Sequence, residues 1–528
     1  LADAFISKRG TPVAKRRTTS SLMLIFRRLF VPLVFSFATL IGQSQSATTA
    51  NVSPAPVENI SLNDAIQRAL AKNFSIKVSG FDASIAAAGV TQALGKFDPA
   101  INGNYQYSAN ASPGYTDPNT GLISSATNID TDTYGLNLGG LLPFGMSYQV
   151  GVNSTNTRGT FNNYADNYST FAGVSGTLPL LRNFGIGTTL ASIRIAQVNR
   201  GMSEWEFREA VIDTVTNVIF AYNDLNFAYA NRLSAIRSRD LALQLVDENQ
   251  KRFKTGSASQ YDVTFANSRA ASREENILFA EQAVRQAENY LKQLISDTKT
   301  PGLLSEHFTI EPPPPAPVVI VDAAADFREA LTKRPDYQQA RLALKRDTIN
   351  RRYQHNQLLP RVDLVGGYGY SGQGGNFGIT RQQIENKDYN AYNWGVVVSV
   401  PITFTAERGR YRSARLQERK SETLQEQLEQ SIVVQVGNAA SQIEIVQKRI
   451  EATRHARELA QETLDAEKKR LRAGQIDSFF VAQQQEILSG AEVSEARAQS
   501  DYHKALAEYD RQLGVTLEKL HISIDPPK

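Results

Sequence analysis

Two stretches of the chain keep apolar and polar positions in helical rhythm for far longer than a globular domain needs. Residues 187–255 contain no proline and one internal glycine, Gly201, and residues 405–473 contain no proline, with glycines at Gly409 and Gly437. At the α-helical rise each would reach roughly 100 Å. A glycine closes each run, and a shorter helix is predicted behind it, over 257–296 and 475–514. The first of these carries a heptad stripe of Val263, Ala266, Ala270, Ile277, Ala280, Val284, Ala287, Leu291 and Leu294. The second carries Val481, Leu488, Ala491, Ala498, Tyr502, Ala505 and Tyr509. Such stripes bury one helix against another, and the alanines permit close approach.

A second rhythm, of period two, occupies Ile101–Ser108, Ser169–Leu178, Val362–Tyr370 and Asn393–Ile402. In the last segment Trp394, Val396, Val398, Val400 and Ile402 share a face, with Gly395, Val397 and Ser399 between them. Loose alternation of this kind suits a strand in a membrane barrel better than one in a soluble sandwich, although these strands taken alone leave an ordinary β-sheet core equally open. Tyr105, Tyr107, Phe171, Tyr368, Tyr370, Tyr392 and Trp394 stand in or beside these segments. Aromatic residues, tyrosine and tryptophan above all, favour the membrane–water interface, so these seven are the expected interface aromatics. Tyr134–Leu142 and Met146–Ser154 read as a further hairpin about Pro143-Phe144-Gly145. The polar loops 109–133 and 155–168 fit an exposed rim.

The whole plan occurs twice. An offset of 261 places Ala69-Leu70 on Ala330-Leu331 and Pro99 on Pro360; an offset of 218 places Gly256 on Gly474 and Val263 on Val481. A helix opened by Ser61 and running to about Gly95 thus matches one over 323–356. The expected divisions are an upstream segment and signal peptide (1–46), a first repeat (58–296), a proline-rich linker (297–322), a second repeat (323–514) and a tail (515–528). In the linker, Pro312 to Pro315 and Pro317 form a stiff spacer.

Composition sharpens this picture at the N-terminus. Arg27 and Arg28 precede the apolar run Leu29 to Ile41, and Ser44, Ser46 and Ala47 follow it. The order is that of a secretory signal, with Met23 as the expected start and cleavage near Ser46 or Ala47. Residues 1–46 carry a net charge of +6 against +4 for the whole chain, which leaves about −2 for the remainder. Nothing argues for a nucleic-acid partner. With no cysteine, disulfides, thiolate metal sites and a cysteine nucleophile are excluded. The five histidines, His307, His355, His455, His503 and His521, form no spaced metal motif, and no glycine-rich phosphate loop occurs. No cofactor and no catalytic constellation are expected.

One copy offers too few strands to close a barrel, and an open edge cannot face lipid, because each unpaired backbone group there costs several kcal/mol. An oligomer is therefore expected. Tracing the chain suggests that helix 257–296 continues into 323–356 and helix 475–514 into 61–95, which gives two unbroken and two interrupted rods per copy.

The run Ile60-Ser61-Leu62-Asn63-Asp64-Ala65-Ile66 with Ala69-Leu70 and Asn73, the junction Leu178-Pro179-Leu180-Leu181-Arg182-Asn183-Phe184-Gly185, and the tips Phe253 to Val263 and Arg470 to Val481 resemble the outer-membrane efflux, or TolC-like, family over about residues 58–520. The resemblance implies a mixed α and β membrane protein: a homotrimer whose 12-stranded β-barrel takes four strands from each protomer and is continuous with a long periplasmic α-helical barrel. It also implies an equatorial region near the linker and C-terminus, and partnership with a periplasmic adaptor protein and an inner-membrane pump. The hairpin 134–154 would give the first half four strands and keeps the up-and-down order legal, so a larger barrel stays open; the preferred expectation is an accessory hairpin or external extension.

The resemblance further places the gate at the helical tip. The family's acidic ring falls on Phe480 and Gln483, where no acid stands, so an apolar constriction is expected instead. Asp262 matches an acid that locks the closed state; its usual arginine partner falls on Ile476, with Arg470 or Arg472 a helical turn away. The plainer alternatives are that Phe480 is a packing residue and Asp262 a helix-start acid favoured by the dipole. The expected function is an exit duct for small molecules. Type I protein secretion and a non-channel periplasmic scaffold are the alternatives.

Overall fold

The computed structural model describes residues 57–305, 307–312, 314 and 322–524. The expected leader, 1–46, and most of the proline run lie outside these residues. Strand β1 (Val57–Ile60) leads into α1 (Leu62–Lys72) and α2 (Phe74–Leu94), then β2 (Ala100–Ser112). Two short strands, β3 (Tyr115–Thr116) and β4 (Ile123–Ser124), clip the following loop. Strands β5 (Thr127–Leu141), β6 (Ser147–Gly159) and β7 (Tyr168–Pro179) come next. A single turn, α3 (Ile186–Thr189), leads into the first long rod, α4 (Ala191–Lys254), and its return, α5 (Gln260–Ile295). The second half has β8 (His307–Ile310), α6 (Ala323–Lys333), α7 (Pro335–Asn356), β9 (Arg361–Gly374), a short α8 (Phe377–Glu385) and β10 (Asn390–Ser399). It ends with the rod α9 (Thr405–Arg472), its return α10 (Ser478–Leu513) and α11 (Thr516–Lys519). The long rods, of 64 and 68 residues, span about 96 and about 102 Å.

The helix expected over residues 61–95 is broken at Asn73, whose backbone is extended (ψ 131°), and its counterpart is broken at Arg334 (ψ 126°). The two breaks match at the offset of 261. Arg334 precedes Pro335, which disfavours helix at the residue before it; Asn73 instead caps α2 by accepting from Ser75 N. Each break docks on the end of a return helix from its own half. Asn73 Nδ2 donates to Leu294 O (2.9 Å) and Lys77 pairs with Asp297 (3.2 Å), while Arg334 Nη1 donates to Gln512 Oε1 (2.7 Å). The interrupted rods are therefore α5 followed by α2, and α10 followed by α7, which corrects the pairing expected from tracing the chain. The cause is local: the last carbonyls of a helix lack intrahelical partners, and the break residues supply donors.

The two halves bury the same frame. Val218, Ala221, Leu225 and Ala228 of α4 correspond at the offset of 218 to Val436, Ala439, Ile443 and Val446 of α9, and all are buried. Leu291 and Ile295 in α5 match Tyr509 and Leu513 in α10 in the same way. Around the first core, β1 and β8 pair in parallel, so the linker contributes a strand as well as a spacer. The Tyr222 hydroxyl shares its one hydrogen between Glu311 O (2.7 Å) and Ile60 O (3.1 Å), which ties the middle of α4 to the end of β1 and to the residue that follows β8.

The remaining strands form one antiparallel sheet in the order β10-β9-β7-β6-β5-β2. The hairpin expected as an accessory is thus integral: β5 pairs with β2 on one side and β6 with β7 on the other, and β2 and β7 do not meet. The sequence pattern had shown the hairpin but not that each of its edges finds a neighbour in full register. Four helix junctions lie at one end of the sheet, together with the tight β5–β6 turn, where Gly185 N donates to Phe144 O (3.1 Å). Strand β10 stops at Ser399 rather than Ile402, because Pro401 has no N–H to give.

One face of the sheet is apolar. Register aligns Ile101, Leu138, Val150, Val174, Tyr368 and Tyr392 across all six strands, and Leu136, Val152, Ala172 and Tyr370 run beside them. The opposite face reads Asn102, Asn137, Gly151, Gly173, Gly369 and Ala391. On the apolar side, away from the helices, α8 folds back over β7 and β9. There Thr380 is fully buried, its Oγ1 is 3.0 Å from Thr170 Oγ1, and a Cβ on Gly372 would meet Thr380 O at 2.5 Å.

Candidate functional site

The end of the rods remote from the sheet is built from two nearly identical turns. Gly256 and Gly474 both have φ +72°, the left-handed conformation that glycine adopts without penalty. Behind them Ser257 N donates to Arg252 O (2.7 Å) and Gln475 N to Arg470 O (3.0 Å), so each rod ends in a Schellman turn.

The side chains differ. In the first turn Ser259 caps α5: the Asp262 carboxylate accepts from Ser259 N (2.8 Å) and Oγ (2.7 Å), and Asp262 N donates to Ser259 Oγ (3.3 Å). These bonds from the Ser259 backbone and hydroxyl hold the carboxyl below its ordinary pKa, with the Arg252 charge as a smaller cause. In the second turn the capping position is Asp477, whose side chain makes no cap bond, and Phe480 stands where Asp262 stands in the first.

Arg470 donates to Glu467 (2.9 Å) and Arg472 is exposed; the cation acting on Asp262 is Arg252. Arg252 also reaches across to Leu471 O (3.4 Å) of the other rod. Its role was not readable from the sequence, because it lies a whole turn of chain away from the acid. Buried Asn249 adds a bond to Asp262 O (3.3 Å).

Phe480 is half exposed and sits edge-on to Phe479 (5.8 Å); Phe479 meets Phe265 of the first hairpin (5.8 Å), which stacks on Tyr261 (6.3 Å). Arg269 lies over Phe265 (5.4 Å) and, with Arg273, pairs with Glu486 (3.5 and 3.4 Å). The two tips are thereby clasped by rings and by an ion pair. Gln483 is exposed on the next turn of α10.

At the sheet, Tyr105, Tyr107, Tyr368, Tyr370, Tyr392 and Trp394 lie on the apolar face. Phe171 does not. It is in register with Asn153 and Ser371 on the polar face, and its ring lies over two glycines: a Cβ on Gly173 or Gly369 would come within 2.7 or 2.8 Å of Phe171 Cζ. Period-two counting could not show this, because Phe171 is an aromatic in the polar set of its strand. Among the described residues no group of three or more His, Cys, Asp or Glu side chains could hold a metal ion, and no helix is long and apolar enough to cross a membrane.

Solved structures share this architecture. The CmeC outer membrane channel of Campylobacter jejuni superposes with a TM-score of 0.63 at 15% identity, covering 86% of each chain. The outer membrane protein VceC of Vibrio cholerae gives 0.62 at 17%, covering 86% of this chain and 96% of its own. The open-state MtrE outer membrane channel of Neisseria gonorrhoeae gives 0.57 at 17%, covering 86% and 89%. No curated protein sequence matches the chain. The outer membrane efflux protein family matches residues 65–296 and 327–515, well over half of the sequence. With the duplicated rods and the one-faced apolar sheet, this match shows that the chain belongs to the outer membrane efflux protein family.

Proposed function

We propose that this outer-membrane efflux channel works as a homotrimeric exit duct for small molecules, gated at its helical tip and loaded by an inner-membrane pump through a periplasmic adaptor. The observation that carries the reading is the six-stranded sheet, apolar on one face and open at both edges, whose strands run directly into rods of about 100 Å.

The edges of the sheet and of the helical layer coincide. Helix α2 packs on α4, α4 on α7 and α7 on α9, so α2 and α9 flank the protomer as β2 and β10 flank the sheet. Along α2 the exposed residues Phe74, Val78, Phe81 and Ile85 recur every three or four positions. An apolar heptad stripe in water needs a partner helix. The α9 of the next copy supplies one at the same seam where its β10 meets β2. Closure removes the open edges that lipid does not tolerate.

At the tip, docking of the adaptor separates the clasped hairpins. Phe480 and Gln483 form the constriction, while Asp262 with Arg252 holds the closed turn. The membrane band is set by the apolar face, with Tyr105, Tyr107, Tyr368, Tyr370, Tyr392 and Trp394 at its interfaces. The pump supplies the energy.

Purified protein in a planar bilayer tests this. Discrete channel events are expected from a heat-modifiable trimer, several-fold more often open in Phe480→Ala. Trimer that gives no events would overturn the duct in favour of a scaffold. Phe81→Asp with Ile85→Asp is expected to leave monomer.

A further inference from the structure

We propose that the closed barrel of this protein has eighteen strands rather than twelve, so that its bore never limits cargo size and selection by width falls wholly on the helical tip. The proposal rests on the trimer above and goes beyond it.

Its basis is the place of the β5–β6 hairpin. An external appendage would leave β2 beside β7 and would show water a face of mixed character. Here β5 matches β2 from Ala100↔Gly139 to Ser112↔Thr127, and β6 matches β7 from Ser147↔Thr177 to Asn156↔Tyr168. The hairpin's faces continue those of its neighbours. Leu136, Leu138, Val150 and Val152 extend the apolar band between Ile101 and Val174, and all are exposed in the single protomer. Asn137 and Asn153 extend the polar face and bond to each other (2.9 Å). The β6–β7 join is sealed by Ser154 and Thr170, both buried, with hydroxyls 2.7 Å apart. The β5–β6 turn is short and lies at the helix end, while the longer connections lie at the other, the layout of an up-and-down membrane barrel.

Strand spacing of about 4.8 Å and a tilt of about 40° make eighteen strands close about 36 Å across between backbones, against about 24 Å for twelve. A side-chain layer of roughly 5 Å on each wall leaves bores of about 26 and about 14 Å.

The chain has no cysteine, so each introduced thiol is unique. The test uses the full-length protein in proteoliposomes, with the copy number measured by native mass spectrometry in detergent. A fluorophore on Leu136→Cys should be quenched by nitroxide lipids and not by aqueous iodide. Asn104→Cys, on the polar face of β2 in either barrel, should react as fully with a maleimide polymer about 20 Å across as with a small maleimide, a size that only the wider bore passes. Quenching by iodide at Leu136, or a tenfold or greater loss of labelling by the large reagent, would overturn the proposal while leaving the trimer intact. Two copies with lipid quenching would give a twelve-stranded dimer and overturn the trimer and the wide bore together.

Discussion

The two halves of the chain differ in what they contribute to the sheet and agree in what they contribute to the rods. The first half gives β2, β5, β6 and β7; the second gives β9 and β10. Yet Leu225 and Ile443 occupy the same place in matching cores, Asn73 and Arg334 break matching helices, and Gly256 and Gly474 turn with the same φ. Packing between rods fixes the frame in both halves, because a slip of one position would expose a whole stripe. A sheet admits a hairpin wherever both new edges find register. The tips share a backbone and differ in side chains: Ser259 and Asp262 hold the first turn, and Asp477 and Phe480 replace them in the second.

The comparison yields four measurements. If the cores are equivalent, Leu225→Ala and Ile443→Ala should each destabilise by about 2–5 kcal/mol. Thermal unfolding in detergent should show two similar losses; a large loss for one alone would break the equivalence. Gly256→Ala and Gly474→Ala should each cost about 1 kcal/mol, since both force a side chain into the left-handed region. Hydrogen exchange of the flanking turns measures this locally.

The tips should then diverge. Ser259→Ala removes the capping box and should loosen the start of α5 by about 1 kcal/mol. Asp477→Ala, with no cap bond to lose, should change α10 by much less. Equal losses in exchange protection would contradict the asymmetry. The smallest effect is in pH. The Asp262 carboxyl is held below its ordinary value, so its contribution is whole above the unfolded carboxylate pKa of about 3.9 and fades as the pH falls through the lowered folded value. The first tip should therefore loosen in acid more than the second, and Asp262→Asn should abolish the difference.

The sequence made the rods, the duplicated turns and the buried stripe legible, since Val263, Ala266 and Ala270, or Val481 and Leu488, repeat along one helix. It showed the β5 and β6 segments by alternation but not their neighbours, because strand pairing is decided between segments and not within one. The stacking of α5 on α2 was hidden for the same reason: Asn73 and Leu294 are far apart in the chain and meet through a side-chain amide. Helix α8 is short and carries no stripe, and Phe171 broke the rule for aromatics because glycines on β7 and β9 leave its ring a bed. At the tip, Asp262 was visible as an acid at a helix start, while Arg252, on the other arm of the same hairpin, became visible only when α4 and α5 were set side by side.

The hydroxyl of Tyr222 grips main-chain oxygens at the ends of the β1–β8 pair, not side chains. Substitutions at the exposed Asn59, His307 and Thr309 of β1 and β8 therefore leave the grip intact, while Ile60 and Phe308 are held by the core beneath it. The tyrosine has no such freedom: phenylalanine would keep the shape and release the clasp. In descendants of this channel the exposed positions of β1 and β8 should scatter around two fixed phenols, Tyr222 and Tyr229, whose hydroxyl donates to Phe308 O (2.6 Å).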